Sequence, residues 1–149
     1  MLSEIHTPSL IPGSFFSDPR GRIDFVNDFV VNDFVRVYRI THDDPSVIRA
    51  WQGHRNEVKA FWVVKGSFVI NAVKVDDFDN INNEIKPEAF KLEANESKIL
   101  VIPGGYANGF KALEEGSTMV VFSNLGLDDS AIDMVRIDLN TFEFLNVEF

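Results

Sequence analysis

The sequence contains no cysteine, which excludes disulfide frameworks, thiolate metal sites and cysteine nucleophiles. Its longest apolar runs, such as Phe61–Val64 and Ile99–Pro103, fall far below the roughly 20 residues that cross a bilayer. The first nine residues include Glu4 and Pro8 and lack a basic start followed by an apolar stretch, so they do not resemble a signal peptide. We therefore expect no membrane association and a cytoplasmic location.

Basic residues are also scarce, with 14 Lys and Arg against 23 Asp and Glu and a net charge of −9. This balance argues against a nucleic-acid partner, because phosphate neutralisation needs surplus Lys and Arg. The basic residues are nevertheless concentrated between Arg20 and Lys74. This segment contains nine basic and six acidic residues. Such a segment could bind one small anionic ligand, because the local field and geometry, and not the net charge, determine binding. The alternative is that these charged side chains only cover the solvent-exposed faces of strands.

The chain has 149 residues, which predicts a single domain spanning 1–149. The 14 Phe occur in short runs with Val and Ile, the residues that suit a pleated surface. Short strands with Gly-containing turns between them predict an all-β sandwich or barrel. One short helix is expected at Asp128–Met134, after possible caps. The predicted strands are Ile23–Phe29, Asp33–Ile40, Lys59–Val64, Ser67–Val75, Ala89–Leu92, Ser97–Ile102, Gly109–Leu113, Thr118–Ser123 and Met134–Leu139, the first two forming a hairpin around Asn32-Asp33.

The segment Arg49–Lys59 carries seven hydrogen-bonding or charged side chains just before an apolar strand. Burying so many polar side chains without partners costs free energy, so we expect them to line a cleft or to contact solvent. In an extended strand Gln52 and His54 share one face, and a polar strand aimed into a barrel is one way to build a pocket. The alternative is a solvent-exposed edge strand with an incidental histidine.

The segment Ile102–Phe110 reads Ile-Pro-Gly-Gly-Tyr-Ala-Asn-Gly-Phe, a preset turn into the next strand. With Arg49–His54 (Arg-Ala-Trp-Gln-Gly-His), Lys59 and Gly66, it resembles the paired motifs of the sugar-nucleotide cupins. This group comprises the dTDP-4-dehydrorhamnose 3,5-epimerases and the dTDP-4-keto-6-deoxyhexose 3,4-ketoisomerases. The first motif of the family reads Arg-Gly-x-His-x-Gln or Arg-Gly-x-His-x-His, and the second reads Pro-x-Gly-Phe-Ala-His-Gly-Phe.

Two further segments strengthen the resemblance, which covers roughly residues 15–125. Phe16–Gly21 looks like the opening Asp-x-Arg-Gly turn of the epimerases, and Arg36–Tyr38 resembles the early Arg-x-Tyr strand of the ketoisomerases. The resemblance implies an all-β cupin jelly roll, or double-stranded β-helix. It also implies a homodimer in which the N-terminal hairpin covers the open sheet edge of the partner.

At the positions where the family has its catalytic residues, this chain has other residues. Gln52 stands where the family has its base, and an amide accepts no proton at a useful pH. Asn108 replaces the histidine of the second motif, and Val121, beside Phe122, stands where the epimerases have their acidic Tyr. The resemblance therefore leaves two functional hypotheses open. The first is an epimerase or ketoisomerase acting on a dTDP-linked keto-deoxysugar in surface-polysaccharide precursor synthesis, by proton abstraction next to a carbonyl. The second is a catalytically inactive cupin that binds a nucleotide sugar.

For the enzyme hypothesis, the candidate catalytic residues are His54, Tyr38 and Glu57, which offer a substitute acid–base set. His54 occupies the position of the second histidine in the ketoisomerase pattern. The candidate substrate-binding residues combine cations that resemble phosphate ligands with pocket residues from the two motifs. They are Arg20, Arg49, Gln52, Lys59, Asn108 and Phe110.

No metal and no other cofactor is expected. Many cupins hold a metal with His-x-His, a Glu and a second-motif His, whereas this chain has Gln52, His54, Glu57 and Asn108 at those places. One imidazole and one carboxylate fall short of the three protein ligands of a typical zinc or iron site. The other histidines, His6 in the terminal stretch and His42 in a polar loop, are expected at the solvated surface.

Overall fold

Alternating apolar residues build two antiparallel β-sheets from most of the chain. The computed structural model describes residues 2–146; Met1 and residues 147–149 of the predicted domain lie outside them. The strands are β1 (Ser9–Pro12), β2 (Ser14–Asp18), β3 (Gly21–Phe25), β4 (Arg36–His42), β5 (Ile48–His54), β6 (Lys59–Lys65), β7 (Ser67–Lys74), β8 (Glu88–Glu93), β9 (Lys98–Ile102), β10 (Tyr106–Ala112), β11 (Ser117–Ser123) and β12 (Met134–Arg136). The helix α1 is Leu127–Asp133, and 3₁₀ turns lie at Leu2–Glu4, Val31–Asp33 and Leu139–Thr141.

The two large sheets have five strands each. The first has the order β1-β9-β6-β11-β4 and the second β12-β5-β10-β7-β8, while β2 and β3 form a separate hairpin. All pairings are antiparallel. The expected all-β fold is therefore confirmed. No helix among residues 2–146 is long and apolar enough to cross a membrane.

The main core lies between the two sheets, and period-two alternation explains its membership. On β7, Phe68, Ile70 and Ala72 face this core, while Val73 belongs to a second cluster with Trp51 on the other side of the sheet. A third cluster, around Phe29, covers the outer face of the first sheet. Both sheets are thus covered on their outer faces as well, at least in part.

The predicted N-terminal hairpin is wrong in its pairing. The strand β3 pairs with β2 rather than β4, with Ser14 opposite Phe25 and Asp18 opposite Gly21. The turn is set by Gly21, whose φ of 136° suits glycine, and by Asp18, whose carboxylate accepts the backbone N–H of Arg20 at 2.9 Å. The chain after β3 does not continue as a strand.

Aromatic packing explains why that segment leaves the strand. The rings of Phe29 and Phe34 stack with centroids 5.0 Å apart, and both contact Phe122 on the outer face of β11. The expected surface position of His42 is also wrong. Because β4 extends as far as His42, its side chain is 8% exposed and lies against the rings of Phe68 and Phe110.

Candidate active site

A cavity of about 680 Å³ lies where the edges of the two sheets face each other. One wall comes from β4 and β6 of the first sheet, and the other from β5, β10 and the chain at β12. The lining residues are Tyr38, Ile40, Ile48, Arg49, Ala50, Trp51, Gln52, Lys59, Phe61, Asn108, Phe110, Arg136, Ile137 and Asp138.

A polar row crosses the wall formed by the second sheet. Gln52 of β5 stands opposite Asn108 of β10 on one side and Arg136 of β12 on the other. Directly opposite residues in a sheet share a face, so the three side chains lie next to one another along the cavity. The register shifts just after Asn108, where a Cβ on Gly109 would stand 2.6 Å from the Cβ of Ala50. Glycine therefore permits the close approach of β10 to β5.

Lys59 extends from the facing sheet towards that row. Its side chain is buried, and its Nζ donates to Oε1 of Gln52 at 3.5 Å. The same Nζ lies 5.7 Å from the centre of the Tyr38 ring, and the Arg36 guanidinium lies 5.0 Å from that ring. Two cations therefore stand beside the one phenol of the cavity wall, at distances typical of cation–π contacts.

His54 and Glu57 form a buried pair beside the cavity and are not among its lining residues. The Nδ1 of His54 lies 3.0 Å from Oε1 of Glu57, although the oxygen lies out of line with the N–H bond, so neither ring nitrogen has an aligned hydrogen bond. Because a carboxylate only accepts, the proton belongs on Nδ1, and the Nε2 of a neutral ring is then an acceptor without a partner.

Glu57 is fully buried and surrounded by donors. Its Oε2 accepts from Ser123 and, at 3.2 Å, from Nη2 of Arg36, while its Oε1 accepts from Ser130 at 2.8 Å. Burial alone raises the pKa of this carboxyl, but the contacts with His54, Ser123 and Ser130, with the charge of Lys59, outweigh it. The pKa of Glu57 falls from 4.5 to about 2. The carboxylate is thus charged throughout the neutral range.

The helix α1 delivers Ser130 and Asp133 to this pair. Both side chains are buried, and the carboxylate of Asp133 accepts the backbone N–H of Asn56 at 2.9 Å and of Glu57 at 2.8 Å. It also accepts the side-chain amide of Asn56 at 3.1 Å. The helix thereby holds the turn between β5 and β6 in place, and with it the Glu57 carboxylate.

Three potential metal ligands do meet here, one more than expected from the sequence. Atoms of His54, Glu57 and Asp133 lie within 4.8 Å of one another. The carboxylate oxygens, however, already accept from the donors described above, and the Arg36 guanidinium supplies the positive charge beside Glu57. A bound cation would have to displace these contacts, so the donor set does not fit a metal.

The structure brings together most of the residues singled out from the sequence. Tyr38 and five of the six expected substrate-binding residues line the cavity, namely Arg49, Gln52, Lys59, Asn108 and Phe110. The exception is Arg20, which lies on the β2–β3 hairpin, paired with Asp18 and 88% exposed at its side chain. Within one chain it is not part of the cavity.

Sequence reasoning missed four polar residues of this region. Arg136 and Asp138 line the cavity, and Arg36 and Asp133 support the buried pair. Arg36 carried a signal, because it belongs to the segment that resembles the early ketoisomerase strand. Nothing in the sequence pattern indicated that β12 would pair with β5.

Comparison with known proteins gives matches at the level of structure only. No family model matches the sequence, and no curated protein matches it. Among solved structures, the 3,4-ketoisomerase QdtA from Thermoanaerobacterium thermosaccharolyticum, in complex with TDP, superimposes with a TM-score of 0.70 at 21% identity, over 89% of this chain and 90% of that one.

Two further solved structures belong to the same group. The TDP-quinovose 3,4-ketoisomerase WlaRB from Campylobacter jejuni has a TM-score of 0.69 at 22% identity, over 89% of this chain and 95% of that one. The 3'-monoepimerase ChmJ from Streptomyces bikiniensis has a TM-score of 0.73 at 14% identity, over 91% of this chain and 72% of that one. The chain therefore has the cupin jelly-roll fold that is shared by dTDP-sugar ketoisomerases and epimerases.

Proposed function

We propose that this protein is an epimerase or ketoisomerase that acts on a keto-deoxysugar linked to dTDP. The observation that carries the proposal is the charge of the cavity. Three cations line it, Arg49, Lys59 and Arg136, against one carboxylate, Asp138, in a chain whose net charge is −9. A nucleoside diphosphate fits such a site, because the guanidinium forks of Arg49 and Arg136 suit phosphate oxygens.

The chemistry requires a proton to move next to a carbonyl. A base removes the proton from the carbon beside the ketone, and the electron pair moves to the carbonyl oxygen. In an epimerase a proton then returns to the other face of the same carbon. In a ketoisomerase the neighbouring hydroxyl gives up its proton, the former carbonyl oxygen takes one, and a proton returns to the former carbonyl carbon. In our proposal Lys59 stabilises the enolate oxygen, because it is a buried cation in the cavity wall. Tyr38, in the same wall, is the acid, while Gln52 only binds.

His54 is the proposed base, and Glu57 orients it. Its unpartnered Nε2 is the feature that supports this role, together with its place two residues beyond Gln52 on the same strand. Glu57 contacts the opposite nitrogen and thereby keeps Nε2 free to accept. The proposed reaction uses neither a metal nor an organic cofactor. The cytoplasmic location stays a prediction.

Calorimetric titration with dTDP tests the binding half of the proposal. Arg49→Ala should weaken dTDP binding by about tenfold or more, because a charge-assisted contact to phosphate is lost. Lys86→Ala is the matched control, because Lys86 is an exposed cation of the connection between β7 and β8, outside the cavity. Equal affinity and equal salt dependence in wild type and Arg49→Ala would contradict the placement of the diphosphate.

Proton NMR in deuterated water, with dTDP-4-keto-6-deoxyglucose as substrate, tests the catalytic half. Wild type should exchange a ring proton for deuterium, and His54→Asn should lower the exchange rate by roughly 10²- to 10⁴-fold while leaving dTDP affinity nearly unchanged. Exchange at the same rate in both proteins would exclude His54 as the base. Binding without exchange in wild type would favour the inactive nucleotide-sugar-binding cupin instead.

We also propose that two copies of the chain form a homodimer through the β2–β3 hairpin. The hairpin pairs with neither large sheet and exposes Phe15, Phe16 and Ile23, while β4 ends the first sheet among the described residues and Val37 on it is 61% exposed. A sheet edge of this kind invites another strand. Light scattering after size exclusion should give twice the chain mass for wild type and a smaller mass for Phe16→Glu.

A further inference from the structure

The chain after α1 continues along β5 beyond β12 and adds two charged side chains to the cavity. The N–H of Trp51 donates to the carbonyl of Ile137 at 3.1 Å, and the N–H of Ile137 donates back at 3.1 Å. Strand pairing therefore continues through Ile137. Arg136, Ile137 and Asp138 all line the cavity, so this continuation forms part of its wall.

This segment is anchored firmly enough to position those side chains. Ile137 is buried and packs in the cluster of Trp51 and Phe142. The indole N–H of Trp51 donates to the carbonyl of Leu139 at 3.2 Å. The backbone on both sides of Asp138 is thus held against β5.

The two charges are available to a ligand. Among residues 2–146, no carboxylate makes an ion pair with Arg136. Asp138 uses only Oδ1, which accepts the backbone N–H of Asn140 at 2.8 Å. Both residues are exposed and line the cavity, so a bound ligand can contact them.

We propose that Arg136 and Asp138 form a specificity pair that selects a sugar diphosphate over a free nucleoside diphosphate. The inference rests on the proposed function. Arg136 binds the phosphate that carries the sugar, because it lies beside Gln52 on the polar row and a guanidinium fork matches phosphate oxygens. Asp138 accepts hydrogen bonds from sugar hydroxyl groups and repels the extra negative charge of a terminal phosphate.

The test is a calorimetric comparison of dTDP-glucose and dTDP with three variants. Arg136→Gln should weaken binding of both ligands by about tenfold and reduce its salt dependence, because one charge-assisted phosphate contact is lost. Asp138→Asn should tighten dTDP binding about three- to tenfold and weaken dTDP-glucose binding, because a repulsive charge and a hydroxyl acceptor are removed. Lys86→Gln, at an exposed lysine outside the cavity, should change neither affinity.

Asp138→Asn is a conservative choice, because asparagine and aspartate are about equally good caps for the turn at Leu139–Thr141. Unchanged affinities in Arg136→Gln, or an unchanged ratio of the two affinities in Asp138→Asn, would overturn the inference. If Arg49→Ala still loses dTDP binding in that case, the proposed function stands without the specificity pair. If wild type binds neither ligand, both proposals fail.

Discussion

Glu57 is the residue whose charge should contribute most clearly to stability, and Glu57→Gln removes that charge with little change of shape. The substitution leaves the Arg36 guanidinium, which lies 3.2 Å from Glu57 Oε2, without its carboxylate. Breaking one side of a buried ion pair costs about 3–5 kcal/mol. We therefore expect Glu57→Gln to lower the free energy of unfolding at pH 7 by an amount in that range.

The pH dependence distinguishes a lost charge from a general packing defect. The pKa of Glu57 in the folded protein is about 2, against an ordinary value of 4.5, which corresponds to roughly 3 kcal/mol of stability. Between these two pH values the unfolded chain carries the proton and the folded chain does not, so stability rises with pH. The contribution is complete above about pH 5 and is lost as the pH falls towards 2.

Urea unfolding at a series of pH values from 7 to 3, at one protein concentration, measures this contribution. The difference between wild type and Glu57→Gln should shrink by roughly 2 kcal/mol between pH 6 and pH 3. Glu115→Gln, at an exposed position, is the matched control and should follow wild type at every pH. A constant difference across the range would refute the argument that Glu57 is held as a stabilised carboxylate.

Three further outcomes are expected. Gln52→His adds a second proton acceptor to the cavity wall and, introduced into His54→Asn, should raise the rate of deuterium exchange by about 10²-fold or more; an unchanged rate would show that a base at this position does not reach the substrate. Zinc or manganese added to the protein should not shift its melting temperature, because the oxygens of Glu57 and Asp133 already have partners; a shift that disappears in Asp133→Asn would contradict this. Gly109→Ala should lower the free energy of unfolding by about 1–3 kcal/mol, because the added Cβ would stand 2.6 Å from Ala50 and 3.1 Å from the Trp51 ring; urea unfolding within about 0.5 kcal/mol of wild type would refute the close approach.

Local chemistry made part of the candidate active site predictable. The segment Arg49–Lys59 has too many polar side chains for an apolar core, so a cavity wall could be inferred, and Gln52 and Lys59 do line the cavity. The same periodicity placed His54 on the face of Gln52, but it could not show that His54 would be buried beside the cavity rather than line it. That depends on the turn held by Asp133, which is 79 residues further along the chain than His54.

The amino-acid sequence by itself determined the β-rich architecture, because alternating Phe, Val and Ile with Gly-containing turns leave few other ways to bury the apolar surface. The resemblance of the two motifs to those of the sugar-nucleotide cupins also indicated that the segments around Gln52 and Asn108 could meet. Only the tertiary structure decided that β3 pairs with β2, that His42 is buried, and that Arg136 and Asp138 join the cavity. Those outcomes depend on which strand edges and aromatic faces meet at long range, and no local pattern of residues records that choice.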